Sequence, residues 1–221
     1  MPHEEITESG SESASEVIAP PVAAATPVVR KRPKPGERRV QILQALGAML
    51  EQPGAERVTT AALAARLDVS EAALYRHFAS KAQMFEGLID FIEQSIFTLV
   101  NQITERDAPG QEQAARIVSL LVQFAEKNPG MTRVMVGDAL VYENERLQQR
   151  MNQFFDKIEA SLRQALRGAA SAEGSATPSV DAQVRASALT SFAVGRLQRF
   201  ARSGFRRLPS EHLEATVALM L

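Results

Sequence analysis

The chain has 221 residues, 45% of them hydrophobic, no cysteine and a formal net charge of −1. This supports a packed core in one large domain or two small ones, and it excludes a disulfide framework and any thiolate metal site. The neutral total hides a segregated charge: residues 1–29 hold five glutamates and no Lys or Arg, residues 30–83 hold ten basic against five acidic side chains, and residues 84–221 hold fifteen against sixteen. A basic segment of this kind is the electrostatic footprint of a polyanion binder.

Residues 1–36 are rich in Glu, Ser, Ala and Pro and have no period. That composition buries too little apolar surface to offset chain entropy, so a disordered tail is expected. It leads into the basic cluster Arg30, Lys31, Arg32, Lys34, Arg38 and Arg39. The cluster is either a solvated linker or an arm lying on phosphates or in a minor groove. The apolar stretch from Val17 is broken by prolines and follows glutamates rather than a basic flank, unlike a signal peptide. No apolar run reaches the ~18 residues of a membrane span, so a cytoplasmic protein is expected.

The first predicted helix covers 37–51, with Val40, Leu43, Leu46 and Leu50 on one side and Pro53-Gly54 as its stop. A second starts at Thr59 or Thr60, turns at Asp68-Val69-Ser70, and gives way to a third, EAALYRHF over 71–78, capped by Ser70. Ser80 and Gln83 form a capping box for a fourth helix over 81–105. Its stripe is Phe85, Leu88, Ile89, Ile92, Ile96, Leu99, Val100 and Ile103. A fifth follows the break at 107–110 and stops at Asn128-Pro129-Gly130. A short helix over 131–140, a long one over 143–167, a Gly/Ser/Ala/Pro loop over 168–179, a helix over 180–203 and a last one over 210–221 complete the order of elements. Nothing alternates with period two, so the expected fold is all-α with about nine helices. It divides into a tail (1–36), a helix-turn-helix unit (37–83) and a helical body (84–221).

RVTTAALAARLDVSEAALYRHFASK has helix-turn-helix mechanics. Leu63, Ala64, Leu67, Leu74 and Phe78 face inward, Val69 fills the corner, and Ala64, Ala65, Ala72 and Ala73 permit close approach. Glu71, Ala72, Tyr75, Arg76 and His77 are left for a groove or its walls. Tyr75 and His77 can donate to phosphates, which sets register without reading sequence, and Arg76 can do either. Thr59 or Thr60, with free N–H groups at a helix start, forms an anion site. Lys81 can also reach a phosphate.

The body must then pair two readers, because a symmetric dimer reads half-sites about 34 Å apart. The helix over 180–203 is the candidate face. Val184, Ala188, Ser191, Phe192 and Gly195 stand out, along with the small residues Ala186 and Ala193 and the fillers Leu189 and Leu197. Two further residues break pattern. Phe91 lies about 60° outside the apolar stripe of its helix, counting ~100° per residue, and Leu120 is displaced similarly in the next. Exposed, they would form a groove with Lys127 at its rim; buried, they would only widen the stripes. No nucleophile–base pair, phosphate loop or metal spacing occurs, and His3, His77 and His212 are far apart, so neither an enzyme nor a cofactor is expected.

VSEAALYRHFASK resembles the DNA-binding domain of the TetR family, a three-helix reader followed by a helical dimerisation body. The resemblance implies that the threonine pair, Tyr75, His77 and Lys81 touch the backbone of double-stranded DNA. MFEGLIDFIEQSI, EKNPGMTRVMVGDALVYENERLQQRMNQFF and IEASLRQALR resemble a narrower branch, the nucleoid occlusion factors. That implies a nucleoid-associated homodimer, with more than one dimer per DNA site possible, that binds chromosomal sites and antagonises assembly of the division protein FtsZ. It also implies that the groove of Phe91 and Leu120 takes the C-terminal tail of FtsZ. Leu99 and Gln123 stand on that surface where the branch is more basic, and Phe97 is a further off-stripe aromatic. A TetR-type repressor released by a small molecule is the alternative; it needs a polar-studded cavity, and the nameable interior positions are nearly all aliphatic or Phe.

Overall fold

The structure, a computed structural model, describes residues 36–52, 58–106 and 108–221. The acidic tail, the first four residues of the basic cluster, the Pro53-Gly54 stop and Asp107 lie outside the described residues. Nine α-helices follow in order: α1 Glu37–Leu50, α2 Thr60–Arg66, α3 Glu71–Tyr75, α4 Lys81–Thr104, α5 Gly110–Lys127, α6 Pro129–Met135, α7 Glu145–Ala172, α8 Pro178–Arg202 and α9 Leu213–Met220. A 3₁₀ turn, Asp138–Leu140, links α6 to α7. Every described element is helical, as the periodicity predicts.

The buried stripe of α4 (Met84, Phe85, Leu88, Ile89, Ile92, Ile96, Val100) belongs to one continuous core that extends from Ile42 of α1 to Val217 of α9. Leu99 leaves this stripe for the surface. In α1 the buried residues are Ile42, Leu46, Gly47 and Leu50, while Val40 is exposed, so the apolar face is rotated from the expected one. Asn128-Pro129-Gly130 ends α5 and also begins α6, because a proline at the first helical position has no N–H to lose. The expected loop at 168–179 is shorter. Helix α7 continues to Ala172, since the alanines of 169–172 favour helix, Ala170 is buried, and Gly168 is tolerated on the exposed side.

Charges lock α7 onto α4. Arg146 pairs with Glu86 at 2.5 Å, Arg150 bridges Asp90 and Glu93 at 2.5 Å each, and Lys157 lies 3.8 Å from Glu93. Burial depresses the pKa of the Arg150 guanidinium, but its hydrogen bonds to Glu93 and Asp90 and their charges more than offset this, and the pKa is raised. The fully buried Thr132 hydroxyl donates to the Ala125 carbonyl at 2.7 Å, tying α6 to the end of α5.

Helix α6 crosses α1 backbone to backbone. A Cβ on Gly130 would lie 2.1 Å from the Gly47 carbonyl oxygen, so no side chain fits there. Gly168 has nothing within 4 Å of such a Cβ. Gly130→Ala is therefore expected to destabilise the chain by about 2–4 kcal/mol through overpacking. Gly168→Ala is expected to stabilise by about 0.5–1 kcal/mol through helix propensity. Urea unfolding of the two variants checks both signs.

Candidate nucleic-acid interface

The reader is built from two capped helices and a tight turn. Thr59 is the N-cap of α2, its hydroxyl accepting from Ala62 N–H at 3.1 Å. Ser70 caps α3 by accepting from Ala73 N–H at 3.3 Å. Between them Asp68 takes φ 53°, a left-handed conformation that Asp tolerates better than most, and Val69 N–H returns to the Ala64 carbonyl at 3.1 Å. Leu63, Ala64, Leu74 and Phe78 are buried and Leu67 and Val69 half-buried. Ala65 and Ala72 are exposed, so the close approach rests on Ala64 and the half-buried Ala73.

The outward face of α3 carries Glu71, Ala72, Tyr75 and Arg76, all exposed, with Tyr75 44% accessible. Helix α3 is shorter than predicted: Arg76 is its C-cap, and half-buried His77 and buried Phe78 follow in turns closed on the Leu74 carbonyl. Arg39, which the sequence shows only as part of a basic run, stacks 4.1 Å over the Phe78 ring and donates to the His77 carbonyl. It thereby fixes the exit of the recognition element.

Two expected phosphate donors already have carboxylate partners. The Thr60 hydroxyl donates to Glu71 at 2.6 Å. Lys81 is ion-paired with Glu143, just before α7, and lies 5.6 Å from the Phe85 ring centroid. A phosphate must compete with Glu143 for that ammonium. Thr59 and Ser70 use their oxygens as caps and keep O–H groups to donate outward.

On the α4–α5 side, Phe91 is 48% and Leu99 43% exposed, and Gln123 and Lys127 are exposed too. The Phe91 ring lies 6.5 Å from that of Phe124, which is half-buried. Leu120 packs against the core, so Phe124 takes the place beside Phe91 that the helical offset assigns to Leu120. Phe97 turns inward, edge-on to Phe154 at 5.5 Å.

Helix α8 has two faces. Ala186, Leu189, Ala193 and Leu197 are at most 1% exposed inside the monomer, so they are unavailable for pairing. Val184 (64% exposed), Ala188 and Ser191 lie outside, with Phe192 and Gly195 half-buried, and a Cβ on Gly195 would meet nothing within 4 Å.

Comparison with known proteins agrees with this architecture. Residues 42–88 match the family model described as bacterial regulatory proteins, tetR family, and residues 112–221 match a SlmA-like model described as tetracyclin repressor-like, C-terminal domain. The Nucleoid occlusion factor SlmA of Idiomarina loihiensis is 51% identical over 183 residues, covering 83% of this chain and 93% of its own. That of Vibrio cholerae is 50% identical over 184 residues, covering 83% and 93%. Among solved structures, the TetR family transcriptional regulator PfmR from Thermus thermophilus superposes with a TM-score of 0.67 at 23% identity, covering 82% of this chain and 97% of that one. The fatty acid degradation regulator FadR from Bacillus halodurans also reaches 0.67, at 14% identity, covering 85% and 96%; at these identities the likeness is one of fold. A capped helix-turn-helix on an all-helical body, with half the residues shared along most of the chain, makes this protein a member of the SlmA nucleoid occlusion factors within the TetR family.

Proposed function

We propose that the chain works as a homodimer on double-stranded DNA at the nucleoid, and that in this state it restrains FtsZ assembly. The observation that carries the DNA reading is the outward face of α3, where an exposed phenol and guanidinium stand beside the capped starts of two helices. Thr59, Ser70, Tyr75 and His77 position the duplex through its phosphates, and Glu71, Ala72 and Arg76 face the base edges. Thr60 and Lys81 join them when phosphate displaces Glu71 and Glu143. The outer row of α8 (Val184, Ala188, Ser191, Phe192, Gly195) supports a self-complementary interface, because small residues let two such helices approach closely.

The groove of Phe91, Leu99 and Phe124, with Gln123 beside it and Lys127 at the rim, suits a short acidic and apolar peptide such as the FtsZ tail. Aromatic anchors supply most of the affinity in such sites, and a basic rim orients the charge. Leu120 supports its floor from the core.

Tyr75→Phe, which removes one hydroxyl, is expected to weaken binding to every duplex alike by about 1 kcal/mol, measured by fluorescence anisotropy. Ala188→Glu is expected to yield monomers in sedimentation equilibrium and to weaken duplex binding with them, since a buried unpaired charge is placed at the pairing face. Phe91→Ala is expected to raise the Kd for an FtsZ tail peptide about tenfold, a hot-spot effect, and to leave duplex affinity unchanged. Wild-type affinity for the peptide in that variant would rule out the groove as its docking site.

A further inference from the structure

The near-neutral body conceals a second concentration of charge. Residues 196–207 contain five arginines and no carboxylate, while the rest of 84–221 carries ten basic against sixteen acidic side chains. Elsewhere in the body four of the eight arginines are ion-paired: Arg116 to Glu112, Arg146 to Glu86, Arg150 to Asp90 and Glu93, and Arg185 to Glu173. In 196–207 none of the five is ion-paired among the described residues. Arg196 donates to the Glu211 carbonyl at 2.8 Å and stacks on Phe192, and Arg206 donates to the Ser203 carbonyl at 2.9 Å. Arg199, Arg202 and Arg207 are exposed, and among the described residues their guanidinium groups form no ion pair or hydrogen bond. One or two cations there complement the helix dipole. Glu211 lines the same surface pocket as Arg196, Arg199 and Arg207 but forms no ion pair with them, so five cations face one carboxylate and the excess charge suits an anion brought by a partner.

The position of the cluster identifies that anion. The Lys81–Glu143 and Arg146–Glu86 pairs set the start of α7 beside the start of α4, where the reader ends. Helix α8 runs back along α7, with Gln183 donating to Glu159 at 2.7 Å, so its C-terminal end returns to the reader's side. A second chain of contacts agrees: Arg133 of α6 lies 5.2 Å over the Phe205 ring, and α6 is the helix that crosses α1 at Gly130. Arg199 and Arg202 also continue the Val184, Ala188, Ser191, Gly195 row at helical spacing. In a dimer built on that row, the two clusters meet near the dyad, between the two readers, where a duplex spanning both half-sites passes.

We infer that Arg199, Arg202 and Arg207 form a second, sequence-independent contact surface for the sugar–phosphate backbone of duplex DNA. This rests on the reading that α3 binds duplex DNA. The test compares the full-length chain with the triple variant R199Q/R202Q/R207Q on a random-sequence duplex of roughly 30 bp, by anisotropy across a salt series. Each lost phosphate contact lowers the log–log salt slope by about 0.9. The triple variant is expected to lose at least about 2 from the slope and at least tenfold in affinity at low salt. The triple Arg→Lys variant keeps most of both, since charge carries the contact, and guards against misfolding of the Gln variant.

An unchanged slope in the Gln variant would overturn the inference while leaving the reader intact. So would a variant that becomes monomeric, which would give the arginines to pairing through partner carboxylates. A variant that holds DNA normally but loses an FtsZ tail peptide would likewise make the cluster a protein-docking surface. Failure of the wild type to bind any duplex would instead remove the reading of α3 itself.

Discussion

Two backbones touch where α1 crosses α6, and the aim of the recognition element depends on that contact. At Gly130 the helices close to a distance no side chain permits, because a Cβ there would meet the Gly47 carbonyl oxygen. Arg39, on the same α1, stacks on Phe78 and holds the exit of the reader. Helix α1 thus touches both α6 and the exit of the reader through close-packed contacts. The core along α4 and the ion pairs between α4 and α7 extend the same rigidity into the body.

Most of the fold was legible because its signals are local. Helical period, Ser and Thr caps and the Gly/Pro breaks place all nine helices, and Ser70 and Ser80 cap where predicted. The misreadings have local causes too. Asn128-Pro129-Gly130 reads as a stop, yet proline starts a helix as readily as it ends one. The alanines of 169–172 look like loop beside glycine and serine but prefer helix. Val40 joins the apolar stripe by spacing alone, and only the packing of α6 shows that α1 buries Ile42 and Gly47 instead.

The candidate site was legible in its residue types and not in its pairings. Tyr75 and Arg76 face outward as the period requires. That Thr60 is held by Glu71 and Lys81 by Glu143 depends on contacts 11 and 62 residues apart, which no spacing rule reaches. The exposure of Phe91 follows from its offset on the helical wheel, whereas Leu120 and Phe97 share that offset and are covered by neighbours. The arginines of α8 stand plainly in the sequence, but a charge count over the whole body cancels them.

The proposed function gives one chain two surfaces, a DNA reader and a peptide groove, the first bringing the second to bear on division-protein polymers. The most direct measurement is the yield of FtsZ polymer pelleted with the full chain, in the presence and absence of chromosomal DNA fragments. The expected yield falls with the chain and falls further when the fragments are added. The same yield under every condition would contradict that claim.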